Sequence, residues 1–251
     1  MRQALAVAAK APQPGTVKTR LHSRLSADEA TELYRCFLKD TLLLMYSVPE
    51  TERVISYTPK GGERYFDGIH SGNLGKLEKF GNLGNNGNPR LLPQRGESFG
   101  DKLHHAFEEL FGEGFDSVVI IDADSPTLPR AYLTGAFDEL ARPGERMVLG
   151  PAEDGGYYLI GLRRPHRRLF EEITWSSDRV LAETLERARE IDLEVSLLPM
   201  WYDVDDSATL ERLKGEVIGG NGFQRLNASE APHTRRFIEE RWPRDSYDAN
   251  R

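Results

Sequence analysis

The sequence predicts an α/β protein: a mostly parallel sheet with helices on both faces. Three observations carry that prediction. Short apolar runs alternate with segments of helical periodicity along most of the 251 residues, the pattern of strands joined by crossover helices. One run, SVVII at 117–121, is dense in β-branched residues, as a strand buried on both faces must be. The two strongest apolar runs also lead into charged loops, KAPQPGTVKTRL after the first and DADSPTL after the central one. Ligands of open α/β sheets bind outside the carboxyl ends of strands, where such loops lie.

The elements follow in order. Residues 4–9 form an apolar run that predicts a buried first strand, and the Pro/Gly-broken loop after it carries Lys10, Lys18 and Arg20. Ser26 and Glu29 have capping-box spacing, and Leu33, Phe37, Leu38, Thr41, Leu42 and Met45 continue at helical intervals. Cys36 falls inside that helix and reads as a packing residue; a single cysteine excludes an intramolecular disulfide. A strand is expected at 53–57. Residues 61–90 repeat GNLG at 72–75 and 81–84 amid many Gly and Asn, a low-complexity loop insertion expected to be mobile and of little consequence for chemistry. A short strand near 90–94, a helix over 98–111, the 117–121 strand and a helix over 130–140 come next. Strands at 147–149 and 158–162 flank a glycine turn. A helix over 178–190 has Ser177 as candidate N-cap and Trp175 as a core anchor before it; a strand at 194–198 and a helix after Ser207 complete the pattern. After Gly215 the composition shifts. The prediction is one domain over 1–215 and a C-terminal extension over 216–251, with a linker at 217–222 and a helix at 233–242.

Hydrophobic residues at 39% and charged residues at 29% describe a folded chain rather than a disordered one. The net charge of −7 argues against a nucleic-acid partner, which needs a basic face. The local basic run at 163–168 reads as a solvated loop rather than an anion site. No apolar run approaches the ~18 residues of a membrane span, and the N-terminus lacks a signal-peptide pattern, so a cytoplasmic location is the expectation.

Chemistry is expected where loops leave strands. Cations around Gly15 suit a polyphosphate, although the spacing matches neither the dinucleotide-binding GxGxxG nor the P-loop. A surface turn with solvated charges explains that loop equally well, until the acidic residues are added. Asp124 closes the central strand and Asp205 follows a later one, so parallel strands would bring both to one edge. One or two carboxylates with phosphate oxygens and water are what Mg²⁺ prefers. Helix capping is the competing role; it suits Asp122, Asp206 and Ser207, and for Asp205 the two roles weigh equally. Asp154, Gly155 and Gly156 form either a ligand-hugging backbone or a tight turn, and spacing does not separate them. Gln94, Gly96 and Lys102 stand where a loop could reach a ligand, or in a plain strand–turn–helix. Other chemistries find no support: there is no Cys/His metal spacing, adjacent His104 and His105 cannot face one point on a helix, and no GxSxG elbow occurs.

With these segments in hand, the chain resembles the bacterial transferase-1 family often associated with radical-SAM and selenodomain genes. Members share the glycosyltransferase-A, or nucleotide-diphospho-sugar transferase, fold. The resemblance rests on KAPQPGTVKTRL (10–21), QRGESFGDKLHHAF (94–107), DADSPTL (122–128), GPAEDGGYYLIGL (150–162), WSSDRVLAETLERA (175–188) and DVDDSATLERL (203–213). More distantly, the layout is similar to 2-phospholactate guanylyltransferase and molybdenum-cofactor guanylyltransferase. It implies a three-layer sandwich with a mixed sheet and one short antiparallel strand near its edge. It also implies that Lys18 and Arg20 face nucleotide phosphates, that Asp124 holds Mg²⁺ (or Mn²⁺), and that Asp205 is a second metal carboxylate. Ala8, Lys10, Gly15, Gln94, Gly96 and Lys102 then line the nucleotide, and Asp154, Gly155, Gly156 and Trp175 the acceptor. Two residues depart from the pattern. Ala123 stands where Gly is common, and Lys102 where Arg is common, which removes a bidentate fork. The expected activity is nucleotidyl transfer from a nucleoside triphosphate to a phosphorylated small-molecule acceptor, with Lys18, Arg20 and Asp124 as catalytic residues and pyrophosphate released. Glycosyl transfer from a nucleotide-diphosphate sugar is the alternative, and a non-catalytic nucleotide-binding module the third. A homodimer is expected only by analogy with the fold.

Overall fold

Strand β1 (Gln3–Lys10) is buried on both faces because its side chains alternate: Leu5, Val7 and Ala9 enter one core, Ala4 and Ala6 the other. The computed structural model describes residues 1–69, 88–218 and 228–242, and in it β1 lies inside a seven-stranded sheet of order β3-β2-β1-β4-β6-β5-β7, next to its central strand β4. β2 (Thr51–Thr58) and β4 (Ser117–Ile121) flank β1 in parallel, and β3 (Arg90–Pro93) extends the sheet beyond β2. β5 (Arg146–Pro151) runs parallel to the edge strand β7 (Glu194–Leu197). The chain therefore moves outward from β1 to β3, then crosses back to β4 on the other side of β1. Strand order reverses between β1 and β4.

β6 (Tyr157–Leu162) is antiparallel to both neighbours, β4 and β5. This corrects the expectation of an antiparallel strand near the edge. A short turn closes β5 onto β6, with Ala152 N–H donating to Gly156 O at 3.0 Å. The continuous apolar run of β6 then needs cover on both faces: Leu159 enters one core, Ile160 and Leu162 the other.

Helices α1 (Ala27–Ser47), α3 (Arg130–Ala141), α5 (Ser207–Ile218) and α6 (Pro232–Arg241) pack on the Leu5 face; α2 (Phe99–Gly112) and α4 (Val180–Glu190) cover the other. Both expected N-terminal signals of α1 form: Ser26 Oγ accepts from Glu29 N–H at 3.2 Å, and the Glu29 carboxylate accepts from Ser26 N–H at 2.8 Å. Ser98 and Asp101 make the same box on α2. Ser177 does not cap α4, which begins at Val180. Its hydroxyl is used earlier, donating to Thr174 O at 2.6 Å and accepting from Arg179 N–H at 3.3 Å.

The described part of the C-terminal extension packs on the same body. α5 runs through the expected boundary at 215 to Ile218, and α6 docks on α1. There the buried Asp40 carboxylate accepts from His233 N–H at 3.0 Å and Thr234 N–H at 2.8 Å, satisfying two open donors of the helix start. Residues 70–87 of the Gly/Asn-rich insertion and 219–222 of the linker lie outside the described residues. The basic run at 163–168 is met by glutamates, including Arg168 with Glu190 at 2.6 Å and Arg167 with Glu171 at 2.9 Å. Among the described residues no helix is long and apolar enough to cross a membrane.

Candidate active site

The loop after β1 is pinned by the buried side chains of Val17 and Leu21. Between them Lys18 adopts a left-handed backbone (φ 49°, ψ 38°) at the start of a 3-10 turn, Thr19–Leu21. A non-glycine residue held there costs about 1–2 kcal/mol and persists only where its surroundings over-determine it. They do so here, because the side chain is only 4% exposed and its ammonium is fully engaged. Nζ lies 2.6 Å from Asp124 Oδ1 and 2.9 Å from Asp205 Oδ1, and donates to the Val204 carbonyl at 2.7 Å. Arg20 adds a longer ion pair to Asp205 Oδ2 at 3.7 Å.

The two acidic loops are knitted to each other. Asp122 accepts from Asp124 N–H at 3.1 Å, Ser125 Oγ donates to Tyr202 O at 3.1 Å, and Val204 N–H donates to Asp124 O at 2.9 Å. Lys18 and Asp124, from the loops after β1 and β4, thus meet Asp205, from the loop that returns from the edge strand β7 to α5, where the strand order reverses. That is the position at which open α/β sheets take ligands.

Charge crowding shapes the titration of this edge. Burial alone would pull the Lys18 ammonium down, but Asp124 and Asp205 together hold it above its usual value. Burial pushes the Asp205 carboxyl up, yet the Lys18 charge and hydrogen bond, with Arg20, leave it below the ordinary range. Asp203 is pushed up to about 7 by burial and by the nearby Asp154 and Asp205 carboxylates. Burial, with Asp124 and Asp203 beside it, raises Asp122 well above the usual value. Five carboxyl groups therefore gather at one edge.

Asp203 was not among the residues predicted from sequence. The DVD alternation around the buried Val204 was its available signal, since side chains two apart on extended backbone share a face. Tyr34 was also missed; its buried hydroxyl accepts from Lys10 N–H at 3.1 Å and feels both Asp124 and Asp122.

The remaining predicted residues are placed as follows. Ala8 is half-buried near the end of β1, Lys10 is exposed at its last position, and Gly15 lies in the loop before Lys18. Gln94 ties off β2, its N–H donating to Tyr57 O at 2.8 Å and Nε2 to Ser56 O at 2.9 Å. Gly96 occupies the turn into α2, and Lys102 is half-buried on its first turn. Trp175 packs edge-to-face on Phe99, with ring centroids 5.1 Å apart. Asp154 accepts from Gly156 N–H at 2.8 Å, a local turn bond, and joins the acidic edge through Asp203. Lys18, Arg20, Asp124 and Asp205 converge at ion-pair distance, whereas Gln94 and Trp175 make their contacts with β2 and Phe99.

The oxygen donors fit a hard divalent cation. Asp124 and Asp205 present oxygens to one point, and Asp124 Oδ1 is buried with the ammonium as the group facing it. Among the described residues no set of three or more His, Cys, Asp or Glu side chains is arranged around a metal position. An ion here would hold two carboxylates and complete its shell with substrate oxygens and water.

Comparison with known proteins places the fold and the family. A protein from Desulfovibrio desulfuricans G20, described as a "putative nucleotide-diphospho-sugar transferase", superposes with a TM-score of 0.73 at 30% identity, over 96% of this chain and 98% of that one. A cytidylyltransferase from Leptospira borgpetersenii serovar Hardjo-bovis shares the fold with a TM-score of 0.53 at 12% identity, over 100% and 98% of the two chains. A 4-diphosphocytidyl-2C-methyl-D-erythritol synthase from Anaerococcus prevotii DSM 20548 does so with a TM-score of 0.50 at 12% identity, over 84% and 95%. No curated protein matches the chain in sequence. Residues 43–177 match the model of the family described as "Uncharacterized protein conserved in bacteria (DUF2064)". The chain belongs to that family and is built on the nucleotide-diphospho-sugar transferase type of fold.

Proposed function

We propose that this protein is a metal-dependent transferase that moves a nucleotidyl group from a nucleoside triphosphate to a phosphorylated small-molecule acceptor. The observation that carries this reading is the meeting of Lys18, Asp124 and Asp205 at the strand-order reversal. In the reaction an acceptor phosphate oxygen bonds to the α-phosphorus, and the bond from that phosphorus to the bridging oxygen breaks. Pyrophosphate leaves with the electron pair. Negative charge builds on the leaving group, and Lys18 and Arg20 are the cations at hand to stabilise it. Asp124 and Asp205 would hold Mg²⁺ (or Mn²⁺), which when bound neutralises phosphate charge and aligns an in-line displacement. A phosphate nucleophile is already anionic and requires no general base. Gly15, at φ +79°, lets the loop backbone come close to the polyphosphate, and the Asp154 turn stands toward the acceptor.

Glycosyl transfer from a nucleotide-diphosphate sugar is the second reading. It is favoured by the description given to the 30% identical Desulfovibrio protein. Melting curves with the four nucleoside triphosphates and a set of nucleotide-diphosphate sugars, each with and without Mg²⁺, separate the two. A ligand at about 100 times its Kd adds about 2.7 kcal/mol of stability. Mg²⁺-dependent stabilisation by one triphosphate, lost in Asp124→Asn and followed by pyrophosphate release with a phosphorylated acceptor, is the expected result. Stabilisation confined to a nucleotide sugar transfers the assignment to glycosyl transfer. Tight binding that survives Asp124→Asn without turnover makes the protein a binding module, and no shift with any ligand removes the nucleotide assignment.

A further inference from the structure

Three oxygens surround the Lys18 ammonium: it donates to Asp205 Oδ1 at 2.9 Å and the Val204 carbonyl at 2.7 Å, and forms an ion pair with Asp124 Oδ1 at 2.6 Å. Two carboxylates and a carbonyl around one positive centre form a donor set of the kind a hard cation takes. The ammonium therefore stands where a divalent ion on Asp124 and Asp205 would have to stand. Its stem is buried, and the Phe37 ring lies 5.6 Å from Nζ. Two cations cannot share that point, because partial burial leaves their repulsion poorly screened.

We propose that Lys18 is a built-in competitor for the metal position. In the nucleotide-free protein it holds Asp124 and Asp205 together and keeps divalent ions out. The metal gains the site when a polyphosphate supplies the ammonium with a new anionic partner, so metal and nucleotide enter together. The polyphosphate half of this rests on the function proposed above; the competition for the two carboxylates does not. The left-handed backbone at Lys18 agrees with a side chain held in place by its partners rather than by local preference.

Mn²⁺ titration of the nucleotide-free protein, followed by electron paramagnetic resonance, tests the competition. Lys18→Met removes the charge while keeping most of the stem, and Lys18→Gln provides a second, polar replacement. The variants should bind Mn²⁺ about tenfold more tightly than the wild type, about 1.4 kcal/mol. Adding Asp124→Asn to Lys18→Met should abolish the gain, which ties it to this site. A measurement on the wild type removes any dependence on variant folding. Acetylation of Lys18, read by mass spectrometry, should be slow without metal and accelerate as Mn²⁺ saturates the site. Folded variants that bind Mn²⁺ no more tightly than the wild type overturn the proposal, as does Lys18 labelling unchanged by bound Mn²⁺. A Lys18→Met gain combined with no triphosphate stabilisation in the melting panel leaves the competition standing and removes the nucleotidyl-transfer reading instead.

Discussion

Replacing Gly155 by alanine should damage the edge of the site through backbone packing, independently of any ligand. Gly155 has φ +90°, and a Cβ built on it would land on the Asp178 carbonyl oxygen and lie 2.7 Å from that residue's carbonyl carbon and Cα. These are backbone atoms and cannot rotate away. The first turn of α4, just after Asp178, is also tied to this turn, since Leu181 N–H donates to Gly155 O at 2.9 Å. The left-handed conformation costs a side chain about 1–2 kcal/mol, and forcing extra volume against fixed atoms about 1–3 kcal/mol more. The expected loss is therefore about 2–5 kcal/mol. Gly15→Ala is the control: its φ is +79°, but open space surrounds the position of a Cβ. It should lose only the conformational part, about 1–2 kcal/mol. Urea unfolding of both variants, with unchanged m-values, gives the comparison. Equal losses would refute the steric argument for glycine at 155 and return that position to a ligand contact, the role that spacing left open.

Two further outcomes are expected. Lys18→Ala leaves Asp124 and Asp205 facing each other without a cation, but these side chains are 34% and 39% exposed, so screening limits the stability loss to about 1–3 kcal/mol. Turnover in the pyrophosphate-release assay should fall about 10²–10³-fold, and near-normal turnover removes Lys18 from the reaction. The second concerns Asp40 beneath the start of α6, whose carboxyl burial pushes from 3.8 to about 6 despite its backbone hydrogen bonds. A raised folded-state value means a contribution fully present below about pH 4 and lost as pH rises through about 6, amounting to about 3 kcal/mol. Asp40→Asn does not titrate, so its deficit relative to the wild type should shrink by about that amount between pH 4 and pH 7 in urea unfolding. A pH-independent deficit would show that Asp40 is charged throughout.

How much could be read from the chain differs between elements and site. Local patterns determined the elements. The apolar run at 4–9, the SVVII run and the Ser26–Glu29 box each specify backbone over a span of about ten residues or fewer, where periodicity and capping act. The placement of Lys18, Asp124 and Asp205 in loops that follow strands was legible for the same reason. Their mutual distances were not, because Lys18 and Asp205 are 187 positions apart and meet only through the strand order. The interior position of β6 is a decision of the same kind, made by its pairing with β4 on one side and β5 on the other. Local chemistry can also be captured by a nearer partner, as when Ser177 bonded Thr174 and Arg179 instead of capping α4. Raised carboxyls at Asp122 and Asp203 likewise belong to the tertiary structure. Burial and the approach of other charges create those shifts, and both depend on which distant segments are folded against each other.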